Sequence, residues 1–212
     1  MEYEILETKI INEKVVLKYI LNNTEKEIEI MLKTYTEFPF YSGKKIDEKE
    51  FKKMLKLNEK NKVYDDALKL LKRSDLTKKE LEKKLQSKYS SKNKIILEVI
   101  KELESKNLIN DDHFIKHYIK KSINSFKGVE RIKYELSIKG IDEDSIYEYI
   151  DDDLIELEKE KAYQLGSKQM RFSKNLEFRK MRDKVYYKLS YAGYNKELID
   201  EIMFKLNLIK EI

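Results

Sequence analysis

Apolar residues alternate with their neighbours in the first part of the chain. Val15, Leu17, Tyr19 and Leu21 stand two apart, and Ile28, Ile30 and Leu32 repeat that spacing among Glu27, Glu29, Met31 and Lys33. A period of two places such side chains on one face of a strand. Asn12-Glu13 and Asn22-Asn23-Thr24 supply turn residues between the runs, so residues 1–43 are predicted to form a small three-stranded antiparallel β meander. A sheet of that size is marginal in water and needs a helix to cover its apolar face. The segment Phe38-Pro39-Phe40-Tyr41-Ser42-Gly43 breaks the alternation. From Asp47 to Asn58 the residues Phe51, Met54 and Leu55 then fall on one helical face, and residues 44–62 are read as a connecting helix.

From Val63 onward the period is helical. Tyr64, Ala67, Leu68 and Leu71 mark one apolar stripe, and Ile96, Val99, Ile100 and Leu103 mark another. Between them Thr77-Lys78-Lys79-Glu80 is a capping box that opens a helix carrying Leu81 and Leu85. The pattern also recurs. Leu85-Gln86-Ser87-Lys88-Tyr89 with Ile95 returns as Leu136-Ser137-Ile138-Lys139-Gly140 with Ile146, and again as Leu189-Ser190-Tyr191-Ala192-Gly193 with Ile199. Both landmarks move by 51 residues and then by 53, as expected of one supersecondary unit present in three copies. Gly140 and Gly193 stand where a helix ends in the left-handed conformation that glycine adopts without steric cost. Asp142 and Asn195 are placed to cap the next helix. Tyr89 takes the glycine's place in the first copy, so its turn must differ.

These residues also carry a family resemblance. Leu108-Ile109-Asn110-Asp111-Asp112, followed by the stretch from Gly128 to Ile141, resembles the central module of RecX proteins. In that family a Leu-Asp-Asp element precedes Gly-Pro-x-x-Ile-x-x-Glu-Leu-x-x-Lys-Gly-Ile. The matching residues are Asp111, Gly128, Ile132, Glu135, Leu136, Lys139, Gly140 and Ile141; Val129 stands in place of the proline and Asn110 in place of the first aspartate. Thr77, Glu80, Leu81, Lys84 and Leu85 resemble the family's first-unit motif. Gly193 and Tyr194 resemble its Arg-Gly-Phe/Tyr element, with Ala192 for the arginine. The resemblance covers residues 60 to 207, and more loosely the strands. It implies a mainly α fold of three tandem three-helix repeats forming an elongated curved array, here over residues 63–110, 111–153 and 154–212. It also implies a non-enzymatic modulator that binds RecA filaments on DNA and limits their assembly, ATPase and strand exchange in DNA repair.

Composition narrows the remaining choices. One proline and five glycines in 212 residues, 40% of them charged, favour regular helices. There is no cysteine, which excludes disulfides, thiolate nucleophiles and cysteine-based metal sites and suits a reducing cytoplasm. The chain opens without the basic and apolar regions of a signal peptide, and charges interrupt every stretch long enough to span a bilayer. A cytoplasmic monomer with no membrane contact is therefore expected. The net charge of +5 hides an uneven distribution. Lys168–Lys188 holds eight basic residues against two acids, and Asp142–Glu160 holds ten acids against one lysine. Each block alone reads as a solvated helix face; together they suit a protein that meets phosphate on one surface and basic protein on another.

No constellation for chemistry emerges. The glycine spacing of a P-loop is absent. His113 and His117 stand at i and i+4 but lack a third ligand, with Phe114 where a zinc protease motif has glutamate. Asp151, Asp152 and Asp153 are consecutive, so on a helix they diverge by about 100° and cannot share one ion. No catalytic, cofactor or metal residue is assigned. Tyr186, Tyr187 and Tyr191 lie among arginines and lysines, the pairing by which single strands are gripped through stacking, although at least one of them is expected to be core. The residues expected to be exposed and to contact filament or DNA are Lys120, Lys121, Lys127, Arg131, Lys133, Lys139, Arg171, Lys174, Arg179, Lys180 and Arg182. The partners expected are a RecA-type recombinase filament and single- or double-stranded DNA, bound weakly or within the filament. The alternative is a helical protein acting directly on DNA or RNA. The strands are expected to be dispensable, so that a fragment beginning near Asn61 folds alone.

Overall fold

The computed structural model describes residues 2–209 and is mainly helical, with a small antiparallel sheet at its start. The chain divides into two compact units. One runs to Asp75 and resumes over Leu81–Ile109; the other takes Leu76–Glu80 and everything from Asn110 onward. No helix among the described residues is long and apolar enough to cross a membrane.

In the first unit, strands β1 (Glu2–Ile11), β2 (Lys14–Leu21) and β3 (Thr24–Met31) form the expected meander. The hairpin between β2 and β3 turns on Asn22 and Asn23, both at positive φ (52° and 60°), the geometry that two-residue hairpin loops require and asparagine tolerates. The sheet has four strands rather than three. After helix α1 (Leu32–Glu37), strand β4 (Lys45–Asp47) pairs antiparallel with the start of β1, giving the order β3-β2-β1-β4. Three residues are too few to show a period, so only pairing with Glu2–Glu4 makes them a strand. Leu32, which the alternation placed on a strand, instead opens α1.

Helix α2 (Glu48–Arg73) is one continuous helix where the sequence reads two. Its first half covers the sheet: Phe51 stacks on Tyr3 with ring centroids 4.0 Å apart, and Met54 is fully buried. The polar run around Asn58 and Asn61 looks like a break, because asparagine competes with helix through local hydrogen bonds. Here both side chains are buried and used. Asn58 Oδ1 accepts from Met31 N at 2.8 Å and from Thr34 Oγ1 at 3.2 Å, and Asn61 Nδ2 donates to Thr34 Oγ1 at 3.0 Å. This network ties α2 to the end of β3, so a fragment starting at Asn61 would cut α2 at its anchor, against the expectation that the strands are dispensable. Helices α3 (Lys78–Lys88) and α4 (Asn93–Ser105) follow. The turn between them does lack a left-handed residue: Tyr89 instead donates its hydroxyl to Asp66 at 2.6 Å. That turn is one residue out of step with the later copies, so Ile96, not Ile95, is the fully buried landmark.

The second unit holds α5 (Asp111–Asn124), α6 (Val129–Ile138), α7 (Glu143–Tyr147), α8 (Asp152–Phe172), α9 (Phe178–Ala192) and α10 (Lys196–Lys205). One core gathers Ile115, Ile119, Ile132, Leu136 and Ile146; a second gathers Leu165, Val185, Leu189, Ile199 and Ile202. The repeated landmarks Leu136 and Leu189 are both fully buried. Gly140 (φ +83°) and Gly193 (φ +87°) end α6 and α9 as expected, and the next residue's N–H returns to the landmark carbonyl in each: Ile141 N to Leu136 O at 3.2 Å and Tyr194 N to Leu189 O at 3.4 Å. Asp142 and Asn195 cap α7 and α10.

Each of these loops docks on the start of an earlier helix within the unit. The carbonyl before the glycine is the acceptor in both cases. Lys139 O receives Thr77 Oγ1 at 2.6 Å, and Ala192 O receives Gly128 N at 2.9 Å. The two contacts correspond, since 77 and 139 advance by 51 and 53 to 128 and 192. A Cβ on Gly140 would come within 2.5 Å of the Lys79 side chain, and one on Gly193 within 2.2 Å of Arg131 Cβ. Gly128 has an ordinary φ of −74°, yet its Cβ would lie 2.2 Å from Gly193 O. With the Gly128 N–H taken by Ala192, the next donor, Val129 N, is met by the buried Glu158 carboxylate at 2.7 Å.

Gly128→Ala isolates this close approach, because alanine suits the backbone there. It is expected to lower stability by about 2 kcal/mol or more, the range for overpacked or strained sites, read from urea unfolding of the full chain. An unchanged or raised midpoint would mean that the two loops do not pack this tightly.

Candidate functional site

The basic residues divide by what holds them. Four of the eleven expected to be exposed are half-buried and engaged within the second unit. Lys139 Nζ pairs with Glu80 Oε1 at 2.8 Å, and Lys133 Nζ with Glu130 Oε1 at 3.1 Å. Lys127 Nζ and Arg131 Nε both reach Glu135, at 2.5 and 3.0 Å, and Arg131 Nη1 also donates to Tyr191 O at 3.2 Å. Arg182 is half-buried too and pairs with Asp183 at 2.9 Å. The physical reason is position: the first four lie on α6 or just outside its ends, and α6 receives the Gly193 loop at its start and supplies the Gly140 loop at its end. Lys120, Lys121, Arg171, Lys174 and Arg179 are exposed with no carboxylate partner among the described residues, and Lys180 makes only a long, exposed pair with Glu177 at 3.7 Å, an arrangement that contributes little.

Glu135 is the hub of the engaged set. Burial raises the cost of its charge, but hydrogen bonds from Lys127, Tyr118 and Arg131 outweigh that cost and hold its carboxyl at about 2. The same contact and burial push the Tyr118 phenol up to about 12. Glu135 therefore serves the fold, and so do other residues that carry the family resemblance. Asp111 Oδ1 accepts from Lys78 N at 2.9 Å at the start of α3, where Thr77 and Glu80 close their capping box.

A surface on which Lys168, Lys184 and Lys188 have no carboxylate partner among the described residues lies along α8 and α9. Leu165, Lys168, Gln169 and Phe172 succeed one another at i, i+3, i+4 and i+7 on α8, as do Lys184, Tyr187, Lys188 and Tyr191 on α9. Together they line two adjoining depressions of about 420 and 550 Å³ that share Gln169, Lys188 and Tyr191. The first is completed by Phe126, Lys127 and Arg131. Phe126 sits at a φ of +63°, a region costly for a bulky side chain, and its carbonyl accepts the Tyr194 hydroxyl at 3.2 Å. None of Tyr186, Tyr187 and Tyr191 is core: Val185, Leu189 and Ala192 occupy the buried stripe, leaving all three tyrosines exposed. The eleven candidates omit Lys168, Lys184 and Lys188, although the two matched helical stripes are visible in the sequence once their faces are compared.

His113 and His117 are exposed, and the described residues contain no group of three or more side chains able to hold a metal ion. Asp151 caps α8, accepting from Leu154 N at 2.8 Å. The surface can offer cations, ring faces and shape.

Because Glu135 has a depressed pKa, the stability it contributes is fully present above the usual carboxylate range and is lost as pH falls towards about 2. Glu135→Gln is expected to cost about 1–3 kcal/mol at neutral pH, the range for a partly buried charged hydrogen-bonding group. Its difference from the parent should shrink in urea unfolding as pH drops below about 4. A constant difference at every pH would refute the charge-based account.

No protein-family model matches the chain. Individual relatives do. The regulatory protein RecX of Clostridioides difficile (strain 630) is 32% identical over 170 residues, which cover 80% of this chain and 79% of the relative. The crystal structure of RecX from Lactobacillus salivarius aligns at 32% identity with a TM-score of 0.60, over 71% of this chain and 97% of that one. Another crystal structure of a regulatory protein RecX shares the fold, with a TM-score of 0.70 at 21% identity over 95% of this chain and 99% of that one. Identity at this level over most of both chains means that the chain belongs to the RecX family of regulatory proteins.

Proposed function

We propose that this chain regulates a RecA-type recombinase in the cytoplasm. It binds RecA–DNA filaments and limits their assembly, ATPase and strand exchange, and so adjusts DNA repair without chemistry of its own. Family membership supports the regulatory role. The observation that supports the filament contact is a set of exposed cations with no carboxylate partner among the described residues: Lys120 and Lys121 on α5, Arg171 on α8, Lys174 in the turn after it and Arg179 on α9. Side chains left unpaired beside a dense network of ion pairs are available to phosphate or to an acidic protein surface. Lys127, Arg131, Lys133 and Lys139 keep a place in this reading only where a partner can compete with Glu135, Glu130 and Glu80. The filament-binding part is assigned to the helical repeats rather than to the sheet.

The direct test is recombinase ATPase on single-stranded DNA with the chain titrated in. Activity should fall as the chain approaches stoichiometry, and no change at higher ratios would sink the reading. Reversing Lys120, Lys121 and Arg171 together to glutamate should raise the concentration needed by about tenfold or more, with only a small fall in the urea midpoint, since Lys121 and Arg171 stand in the last turns of α5 and α8. Reversal of Arg131 and Lys139 is a poorer probe, since it would leave Glu135 and Glu80 without partners.

A further inference from the structure

Three aromatic rings stand free on the surface shared by α8 and α9. Phe172 is 77% exposed, Tyr187 72% and Tyr191 66%. Tyr187 and Tyr191 lie one helical turn apart with ring centroids separated by 6.5 Å and planes only 19° apart. The Arg131 guanidinium sits 5.5 Å from the Tyr191 centroid. Clustered exposed rings of this size mark contact sites on a folded protein. Lys168, Lys184 and Lys188 surround them with no carboxylate partner among the described residues, and the one carboxylate lining the groove, Asp183, is already engaged by Arg182 at 2.9 Å.

We propose that this groove holds the unpaired bases of a single-stranded nucleic acid. The bases stack on Tyr187, Tyr191 and Phe172, and the phosphates are met by Lys168, Lys184 and Lys188. Stacking on rings with flanking cations is how strands are held irrespective of sequence, because every base has a π-face. A duplex cannot use the rings, since its base faces are covered by their neighbours and only edges and phosphates are presented. An acidic peptide would answer the lysines but leaves three free ring faces without planar partners. The inference stands apart from the filament reading, because it requires no recombinase.

The test is fluorescence anisotropy of the full chain with a labelled oligothymidylate of about 20 nucleotides, long enough for such a groove, in the absence of recombinase. The parent is expected to bind it at least about tenfold more tightly than a duplex of equal length. The double change Tyr187→Ala and Tyr191→Ala should weaken binding by about tenfold or more. Tyr187→Phe with Tyr191→Phe should restore it, which a loss of fold or of hydroxyl contacts would not allow. The alanine variant should keep the parent's salt dependence, whereas Lys168→Glu with Lys188→Glu should flatten it. Parent-like binding by the alanine variant, equal affinity for duplex, or stronger competition by polyglutamate than by unlabelled oligothymidylate would each overturn the proposal. If the alanine variant binds the strand like the parent while the parent still suppresses recombinase ATPase, only this inference falls. Strand binding without any effect on the ATPase removes only the filament reading.

Discussion

A helix that ends in a left-handed glycine leaves the carbonyl just before that glycine pointing away from its own hydrogen bonds, and in this fold that carbonyl must find a donor elsewhere. Lys139 O finds Thr77 Oγ1, and Ala192 O finds Gly128 N. The geometry is demanding, because the backbones approach until a Cβ would overlap its neighbours at Gly128, Gly140 and Gly193. Much of the second unit follows from meeting it. With the Gly128 N–H taken, the Val129 N–H needs the Glu158 carboxylate, whose pKa burial raises and this hydrogen bond lowers, with a net rise. With Gly193 lying on Arg131, that side chain is turned toward Glu135 and Tyr191.

The same constraint explains why the residues that identify the family are not the ones that offer a binding surface. Asp111 accepts from the Lys78 backbone, Glu80 pairs with Lys139, and Glu135 is taken up by Tyr118, Lys127 and Arg131, so these side chains spend their hydrogen bonds inside the unit. A buried or half-buried ion pair of this kind favours one arrangement, since removing one partner strands the other. Other side chains support no such contact and stay open to solvent. On α8 and α9 these are Lys168, Lys184 and Lys188, with no carboxylate partner among the described residues, and the exposed rings of Phe172, Tyr187 and Tyr191.

In the first unit a different polar device settles the architecture. Asn58, Asn61 and Thr34 form a buried network beside the last strand. Buried amides left unpaired are expensive, and paired ones permit few alternative arrangements. The network ties α2 to the sheet in a stretch whose composition reads as a boundary, and the sheet shares its unit with α4 and with α3 from Leu81 onward.

What the sequence by itself determined is what depends on neighbours along the chain. The strand alternation, the Asn turns, the capping box at Thr77, the repeated Leu-to-Gly spacing and the caps at Asp142 and Asn195 are all local geometry, set by φ, by period and by hydrogen bonds a few residues long. The family resemblance was legible in part for the same reason, since its motifs include the capping box at Thr77 and the helix-ending glycines. Tertiary structure decided what depends on residues far apart. Strand β4 exists only because β1 is there to pair with it, and α2 is continuous because Thr34 and Met31 satisfy Asn58. Lys127, Arg131, Lys133 and Lys139 carry the same charge as Lys168 and Lys188 in the sequence, yet only the folded chain brings carboxylates to the first group and leaves the second to solvent. Charge is a property of a residue, whereas availability belongs to its surroundings, and those are set by packing between helices distant in sequence.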